Sequence, residues 1–258
     1  MKRINYIIGS AVAVLGLTGF TLMSHKPVIY MAGDSTMANK PMADNPERGW
    51  GQLLPEFFTD RVVIENHAMN GRSTRSFIYE GRWDSLVSKV RKGDYVVIQF
   101  GHNDESPQKT DRYCTPAEYR YNLTRFVSDV RRKGANPILC TSVQRRKFDE
   151  NGILEDTHGD YPGYVRDLAT KLNVPLIDMQ KMSSRVISDA GVEGSKAIFL
   201  FIKPGEYKSL PNGREDNTHF SEYGARLMAK LFCRGLVETN NELAKYLKPD
   251  IAGDIKNR

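Results

Sequence analysis

Val28-Ile29-Tyr30-Met31-Ala32-Gly33-Asp34-Ser35-Thr36 is a largely apolar run that breaks at once into a polar turn. A short apolar run ended by Gly-Asp reads as a buried strand giving way to a loop. The same pattern recurs along the chain. Tyr95–Phe100, opened by Gly93-Asp94, leads into Gly101-His102-Asn103-Asp104, and the β-branched run Val62–Glu65 leads into Asn66 to Arg75. Pro137–Val143 and Val174–Asp178 read as further strands.

Helical spacing fills the intervals. Trp50–Phe58 is a short amphipathic stretch. Thr115-Pro116-x-Glu118 is a capping box with proline at the first helical position. The face Tyr119, Leu123, Phe126, Val127 and Val130 follows it, and Gly134 stops the helix. Asp160 is placed to cap a helix running to about Leu172, and Ser221 one that carries Leu227, Met228, Leu231 and Phe232. The tail from Asn240 is polar and is expected to fray. Strands alternating with helices imply βαβ units and a parallel sheet covered on both faces. No repeat or linker divides the chain, so one domain over 25–258 is expected.

The first 24 residues form a separate object. Lys2 and Arg3 precede an almost uncharged, mostly apolar run from Ile4 to Met23. That is the pattern of a signal peptide over 1–24, cut after Ser24 in the best reading, and it implies export to the periplasm or the medium. An uncleaved membrane anchor is the rival reading, since the run is nearly long enough to span a bilayer. The rest of the 258 residues, at 40% apolar and 26% charged overall, can bury a full core without a disulfide or metal. Three cysteines, Cys114, Cys140 and Cys233, permit one disulfide at most, and no spacing suggests zinc. The net charge of +6, or +4 without Lys2 and Arg3, suits an anionic substrate as well as no special partner. No aromatic-interleaved basic block suggests nucleic acid. Arg145, Arg146 and Lys147 read as a solvated loop.

Ligands of parallel sheets bind at the carboxyl ends of the strands, and the strand ends supply what a serine esterase needs. Ser35 offers a hydroxyl directly after the first strand; taken alone it also suits a turn or a helix cap. The G-x-S-x-G elbow of α/β-hydrolases is absent around it. In Asp216-Asn217-Thr218-His219 a tight turn can bring the carboxylate to one imidazole nitrogen and leave the other free for a serine. Gly71 can offer a backbone N–H at close approach, or serve only as a turn glycine after Asn70. Asn103 can offer its amide, or close the turn after Gly101.

These blocks, in this order and across nearly the whole mature chain, resemble the four signature blocks of SGNH hydrolases, the GDSL-like esterases. A narrower resemblance is to rhamnogalacturonan acetylesterases. It is carried by Gly33-Asp34-Ser35-Thr36, Arg48-Gly49-Trp50-Gly51-Gln52, Asn70-Gly71-Arg72-Ser73-Thr74-Arg75-Ser76-Phe77 and Phe100-Gly101-His102-Asn103-Asp104. Phe148-Asp149-Glu150-Asn151-Gly152 and Thr157-His158-Gly159-Asp160-Tyr161 extend it. The resemblance implies a flavodoxin-like three-layer α/β/α fold around a central parallel sheet. It implies Ser35 as nucleophile, Asp216 and His219 completing a triad, and Gly71 and Asn103 as oxyanion donors with the Ser35 amide. The implied activity is removal of acetyl groups from pectin or a related glycan, with no cofactor.

Four further residues are candidates for substrate contact. Arg72 and Arg75 flank Gly71, and an arginine fork suits a galacturonate carboxylate; internal ion pairs are the equal alternative. His158 is a candidate for the cleft. Trp50 could stack on sugar, although packing is the commoner fate of a Trp beside an apolar helix. His102 and Asp104 lack further ligands, so no metal is expected. Two other functions stand beside the acetylesterase: a lipolytic or lysophospholipase-type SGNH enzyme, and a non-catalytic envelope protein that binds carbohydrate.

Overall fold

The apolar runs pair as one parallel sheet of five strands. The computed structural model describes residues 26–256; the leader over 1–24 lies outside them. The strands are β1 (Val28–Gly33), β2 (Val63–Asn66), β3 (Tyr95–Gln99), β4 (Asn136–Cys140) and β5 (Leu176–Ile177). They lie in the order β2-β1-β3-β4-β5, the flavodoxin-like strand order, whose direction reverses between β1 and β3. Loops leaving the two strands in opposite senses open a crevice at that point.

Side chains alternate across the sheet, and each face builds its own core. Ile29, Met31, Val97, Ile138 and Ile177 point to one side, where they meet Trp50, Phe57, Met228, Phe232 and Leu236. Tyr30, Ala32, Val96, Ile98 and Leu139 point to the other and meet Phe77, Trp83, Phe126 and Val165. The first side is covered by α1 (Trp50–Leu53), α6 (Met179–Gly194), α7 (Glu222–Glu238) and α8 (Pro249–Lys256). The second is covered by α2 (Thr74–Tyr79), α3 (Arg82–Lys89), α4 (Pro116–Arg132) and α5 (Tyr161–Leu172). The result is the expected three-layer α/β/α arrangement.

Local signals set several boundaries as read. Thr115 and Glu118 form the reciprocal capping box of α4, and Ser221 accepts from the Gly224 N–H at the start of α7. Asp160 stands at the N-cap of α5, but its side chain makes no capping bond. The strand expected over Val174–Asp178 shrinks to two residues, because β4 pairs with β5 only at Leu139 and Cys140. That short pairing also leaves Pro137, with no N–H to give, outside the β4–β5 ladder.

One expectation is overturned. The tail from Asn240 does not fray. Leu243 and Leu247 are buried, and Lys248 N–H donates to the Phe57 carbonyl at 3.0 Å. A second sheet, unread in the sequence, pairs β6 (Phe199–Ile202) antiparallel with β7 (Arg214–Phe220). β7 is too polar to look like a strand. All three cysteines are free and buried. Among the described residues no helix is long and apolar enough to cross a membrane.

Candidate active site

The turn that carries Ser35 is built around a buried carboxylate. After β1 the chain reverses so that the N–H groups of Met37 and Ala38 reach the Asp34 carbonyl at 3.2 and 3.0 Å. Gly33 is needed there, since a Cβ would stand 2.8 Å from Met37 Sδ and 2.9 Å from the Gln99 carbonyl. Asp34 Oδ1 accepts from Thr36 N–H at 2.9 Å and Thr36 Oγ1 at 2.8 Å, and Oδ2 lies 3.1 Å from His102 Nδ1. Burial alone would raise this carboxyl, but the His102 ring and the Thr36 donors outweigh it and hold it below the usual carboxylate range. Burial lowers the His102 imidazole against the opposing pull of the Asp34 carboxylate that its Nδ1 faces. Trp50 is buried and donates Nε1–H to Gln99 Oε1 at 2.9 Å; it is packing, not a sugar platform. With its neighbours locked, Ser35 is left partly exposed above the sheet.

His219 reaches Ser35 through a bulge. Leu200 pairs with Asp216 and Phe199 with Phe220, so Asn217, Thr218 and His219 are extra residues on β7. The expected tight turn is therefore present inside a strand. Asp216 Oδ1 accepts from the Thr218 and His219 N–H groups at 2.8 and 3.0 Å, while Oδ2 faces His219 Nδ1 at 2.8 Å. His219 Nε2 stands 2.9 Å from Ser35 Oγ. These partners assign the tautomer: Nδ1 carries hydrogen toward the carboxylate and Nε2 presents a lone pair to the serine. Burial would raise the Asp216 carboxyl, but the His219 ring and the two N–H donors outweigh it and hold it far below its ordinary range. A carboxylate kept ionised in this way can orient the ring and stabilise its cationic form.

Two arginines that sequence reasoning did not place here brace the Asp216–His219 bulge. Arg214 Nη2 donates to Asp216 Oδ2 at 2.6 Å. Arg146 grips the bulge, with its N–H on the Asn217 carbonyl at 2.8 Å and Nη1 on Asn217 Oδ1 at 2.9 Å. Arg146 was expected to be solvated with Arg145 and Lys147; only Lys147 is, and it pairs with Glu155 at the surface.

The loops after β2 and β3 flank the serine, because β1 lies between those strands. Met69 N–H donates to the Gly33 carbonyl at 3.0 Å and draws the first loop against the turn that carries Ser35. Gly71 follows with φ of +75°, a conformation that favours glycine. Asn103 Nδ2 donates to the Arg72 carbonyl at 3.1 Å, and Asp104 Oδ1 accepts from Thr74 N–H at 2.8 Å and Thr74 Oγ1 at 2.6 Å. The two loops are thus held as one unit, with Gly71 on one and Asn103 on the other. Burial pushes the Asp104 carboxyl up to about 7 despite the Thr74 donors. Lys40, with a side chain only 2% exposed, braces the first loop, since its Nζ lies 2.5 Å from both Asn70 Oδ1 and Glu47 Oε1.

The candidate substrate contacts fare differently. Arg72 Nε forks onto Glu80 at 3.0 and 3.1 Å, and Nη1 donates to the Asn70 carbonyl at 2.8 Å. Of its two readings, the internal ion pair is the observed one. Arg75 is exposed and donates to the Tyr113 carbonyl at 3.3 Å. His158 borders a cavity shared with Glu105, Tyr113 and Tyr161, but its ring nitrogens turn inward. It is 2% exposed, its Nε2 meets the Val143 carbonyl at 2.9 Å, and its Nδ1 meets the Glu105 carboxylate at 2.9 and 3.1 Å. Both nitrogens are spent inside the protein. Arg145 joins this cluster through Glu105 Oε1 at 2.6 Å and the His102 carbonyl at 3.2 Å, fastening the loop after β3 from behind. No group of three or more His, Cys, Asp or Glu among the described residues could hold a metal ion.

The chain is 43% identical over 226 residues to the rhamnogalacturonan acetylesterase RhgT of Bacillus subtilis, covering 87% of this chain and 96% of that protein. It is 26% identical over 245 residues to a rhamnogalacturonan acetylesterase of Emericella nidulans, covering 86% and 91%. Among solved structures, the YxiM protein of Bacillus subtilis superposes with a TM-score of 0.72 at 26% identity, over 84% of this chain and 58% of that one. The acetylxylan esterase Axe2 of Geobacillus stearothermophilus shares the fold, with a TM-score of 0.57 at 18% identity over 81% and 94% of the two chains. Residues 31–227 match the GDSL-like lipase/acylhydrolase family, and the chain is a member of it.

Proposed function

We propose that the protein is a serine esterase that removes O-acetyl groups from cell-wall polysaccharide, rhamnogalacturonan in particular, through an acetyl-enzyme. The observation that carries the chemistry is the continuous line from Asp216 Oδ2 to His219 Nδ1 at 2.8 Å and from His219 Nε2 to Ser35 Oγ at 2.9 Å. The 43% identity to RhgT over nearly its whole length supports the glycan.

In this reading Ser35 Oγ attacks the acetyl carbonyl carbon while His219 Nε2 takes its proton. Asp216 stabilises the imidazolium that forms. The negative charge gathering on the carbonyl oxygen is met by the N–H groups of Ser35 and Gly71 and by the Asn103 amide, whose Nδ2 keeps a second hydrogen beyond the one given to Arg72. Donors held by the surrounding loops need no reorganisation as charge develops, which makes such a site effective. The imidazolium then protonates the departing sugar oxygen. Water, with its proton taken by His219, attacks the acetyl-enzyme and restores Ser35. The route requires no cofactor. The apolar leader supports action outside the cytoplasm, where cell-wall glycan is met.

The test is acetate release from acetylated rhamnogalacturonan, homogalacturonan and xylan, together with acetyl and octanoyl nitrophenyl esters. Fastest release from rhamnogalacturonan is expected. A preference for the octanoyl ester would favour a lipolytic enzyme instead. Binding of pectin fragments without acetate release from any glycan would favour a non-catalytic binder.

A further inference from the structure

The loop between the Asn103 block and α4 brings a cation to Gly71 that neither the resemblance nor the triad accounts for. It is a built loop rather than a free one. Lys109 N–H donates to Ser106 O at 3.0 Å, Tyr113 N–H to Lys109 O at 2.8 Å, and Cys114 N–H to Asp104 O at 3.0 Å, which returns the chain to the site. Near its end stands Arg112. A Cβ added to Gly71 would lie 3.1 Å from Arg112 Nη1 and 4.0 Å from its Cζ, so the guanidinium fills the space where a side chain at 71 would stand.

The opposite edge of this guanidinium is already oriented. Its Nε lies 3.3 and 3.1 Å from the two Asp111 oxygens, and Nη2 lies 3.0 Å from Asp111 Oδ2. Asp111 is 68% exposed, so the pair is solvated and holds the fork in place more than it neutralises it. Nη1 makes no hydrogen bond among the described residues, and the side chain is 30% exposed. Arg72, by contrast, has its Nε committed to Glu80 and its Nη1 to Asn70. Of Arg72 and Arg112, Arg112 is the one whose open edge faces the loop that carries Gly71.

We propose that Arg112 is the specificity-determining residue that reads a uronate carboxylate close to the scissile acetyl. The inference rests on the acetylesterase reading above. A planar fork held at one edge presents its remaining donors in the geometry a carboxylate accepts. Glycine at 71 leaves room for that fork against the oxyanion loop. A glycan whose acetylated residue is, or adjoins, a uronate would be held with its carboxylate on Arg112 and its acetyl carbonyl at Gly71 and Asn103.

The test compares acetylated rhamnogalacturonan with the same polymer after carboxyl reduction, which removes the charge and keeps the sugars. Wild-type enzyme should favour the native polymer by roughly 10- to 100-fold in kcat/KM, the factor expected for one charge-assisted pair. In Arg112→Gln this ratio should fall to near one, and Arg112→Lys should recover part of it. If Arg112 only packs over Gly71, Arg112→Gln lowers both activities together and keeps the wild-type ratio; that result overturns the proposal. A wild-type ratio of one also overturns it while leaving the esterase reading intact. No acetate from either rhamnogalacturonan, with release from acetylated xylan, would remove the substrate assignment on which the proposal rests.

Discussion

Replacing Asp104 by asparagine should change how stability depends on pH. The carboxyl is fully buried, Oδ1 accepts two bonds from Thr74, and Oδ2 meets no polar partner among the described residues. Burial raises it from 3.8 to about 7, against the pull of the Thr74 donors. Between pH 4 and 7 the unfolded chain has released this proton while the folded chain retains it. The native state then binds more protons, so its stability falls as pH rises through that window and levels off above it. At about 1.36 kcal/mol per pH unit, the fall is about 3 kcal/mol between pH 4.5 and 8. Asparagine keeps an oxygen for Thr74 and cannot titrate, so the difference between the two proteins isolates this one group. Urea unfolding at several pH values, followed by the fluorescence of buried Trp50 and Trp83, would measure it. Wild type should lose about 3 kcal/mol relative to Asp104→Asn as pH rises. Curves that stay parallel within about 0.5 kcal/mol would refute the reasoning, because the carboxyl would then titrate alike in both states.

Ser35→Ala should abolish acetate release with little change in Tm, since the Oγ makes its bond to His219 at a partly exposed position; near-normal turnover in a folded variant would end the mechanism. Asn103→Ala should lower kcat by ~10²–10³ with KM little changed, as for loss of one preorganised donor; a large rise in KM at constant kcat would assign it to ground-state binding instead. Arg72→Gln should reduce activity on charged and neutral acetyl esters by the same factor, because its fork holds Glu80 rather than substrate; loss confined to pectin would contradict the observed pairing. Gly224→Ala should unfold or strongly destabilise the protein, since the new Cβ would stand 1.8 Å from the Ile198 carbonyl oxygen; a normal Tm would show that α7 can shift.

Short-range physics made the frame of this protein readable without coordinates. The continuous apolar runs Val28–Gly33 and Tyr95–Gln99, the Thr115–Glu118 box and the Ser221 cap each depend on residues a few positions apart. The strand-end rule then led to Ser35, Gly71 and Asn103, which do lie on loops after three neighbouring strands. The direction of long or charged side chains was not readable in this way. Arg146 ends on Asn217, 71 residues away, and Arg145 on Glu105, 40 residues away. Arg72 and Arg112 both lie near Gly71, yet one turns to Glu80 and the other lies over Gly71 itself. His158 sits on a polar stretch but is drawn inward by Glu105 and Val143. Only the pairing of β6 with β7 turns Asn217, Thr218 and His219 into the bulge that aims the imidazole. A flexible side chain has many nearly equal rotamers, and a polar strand carries no periodic signal. Partners distant in sequence choose among those states, so the choice exists only once the chain has folded.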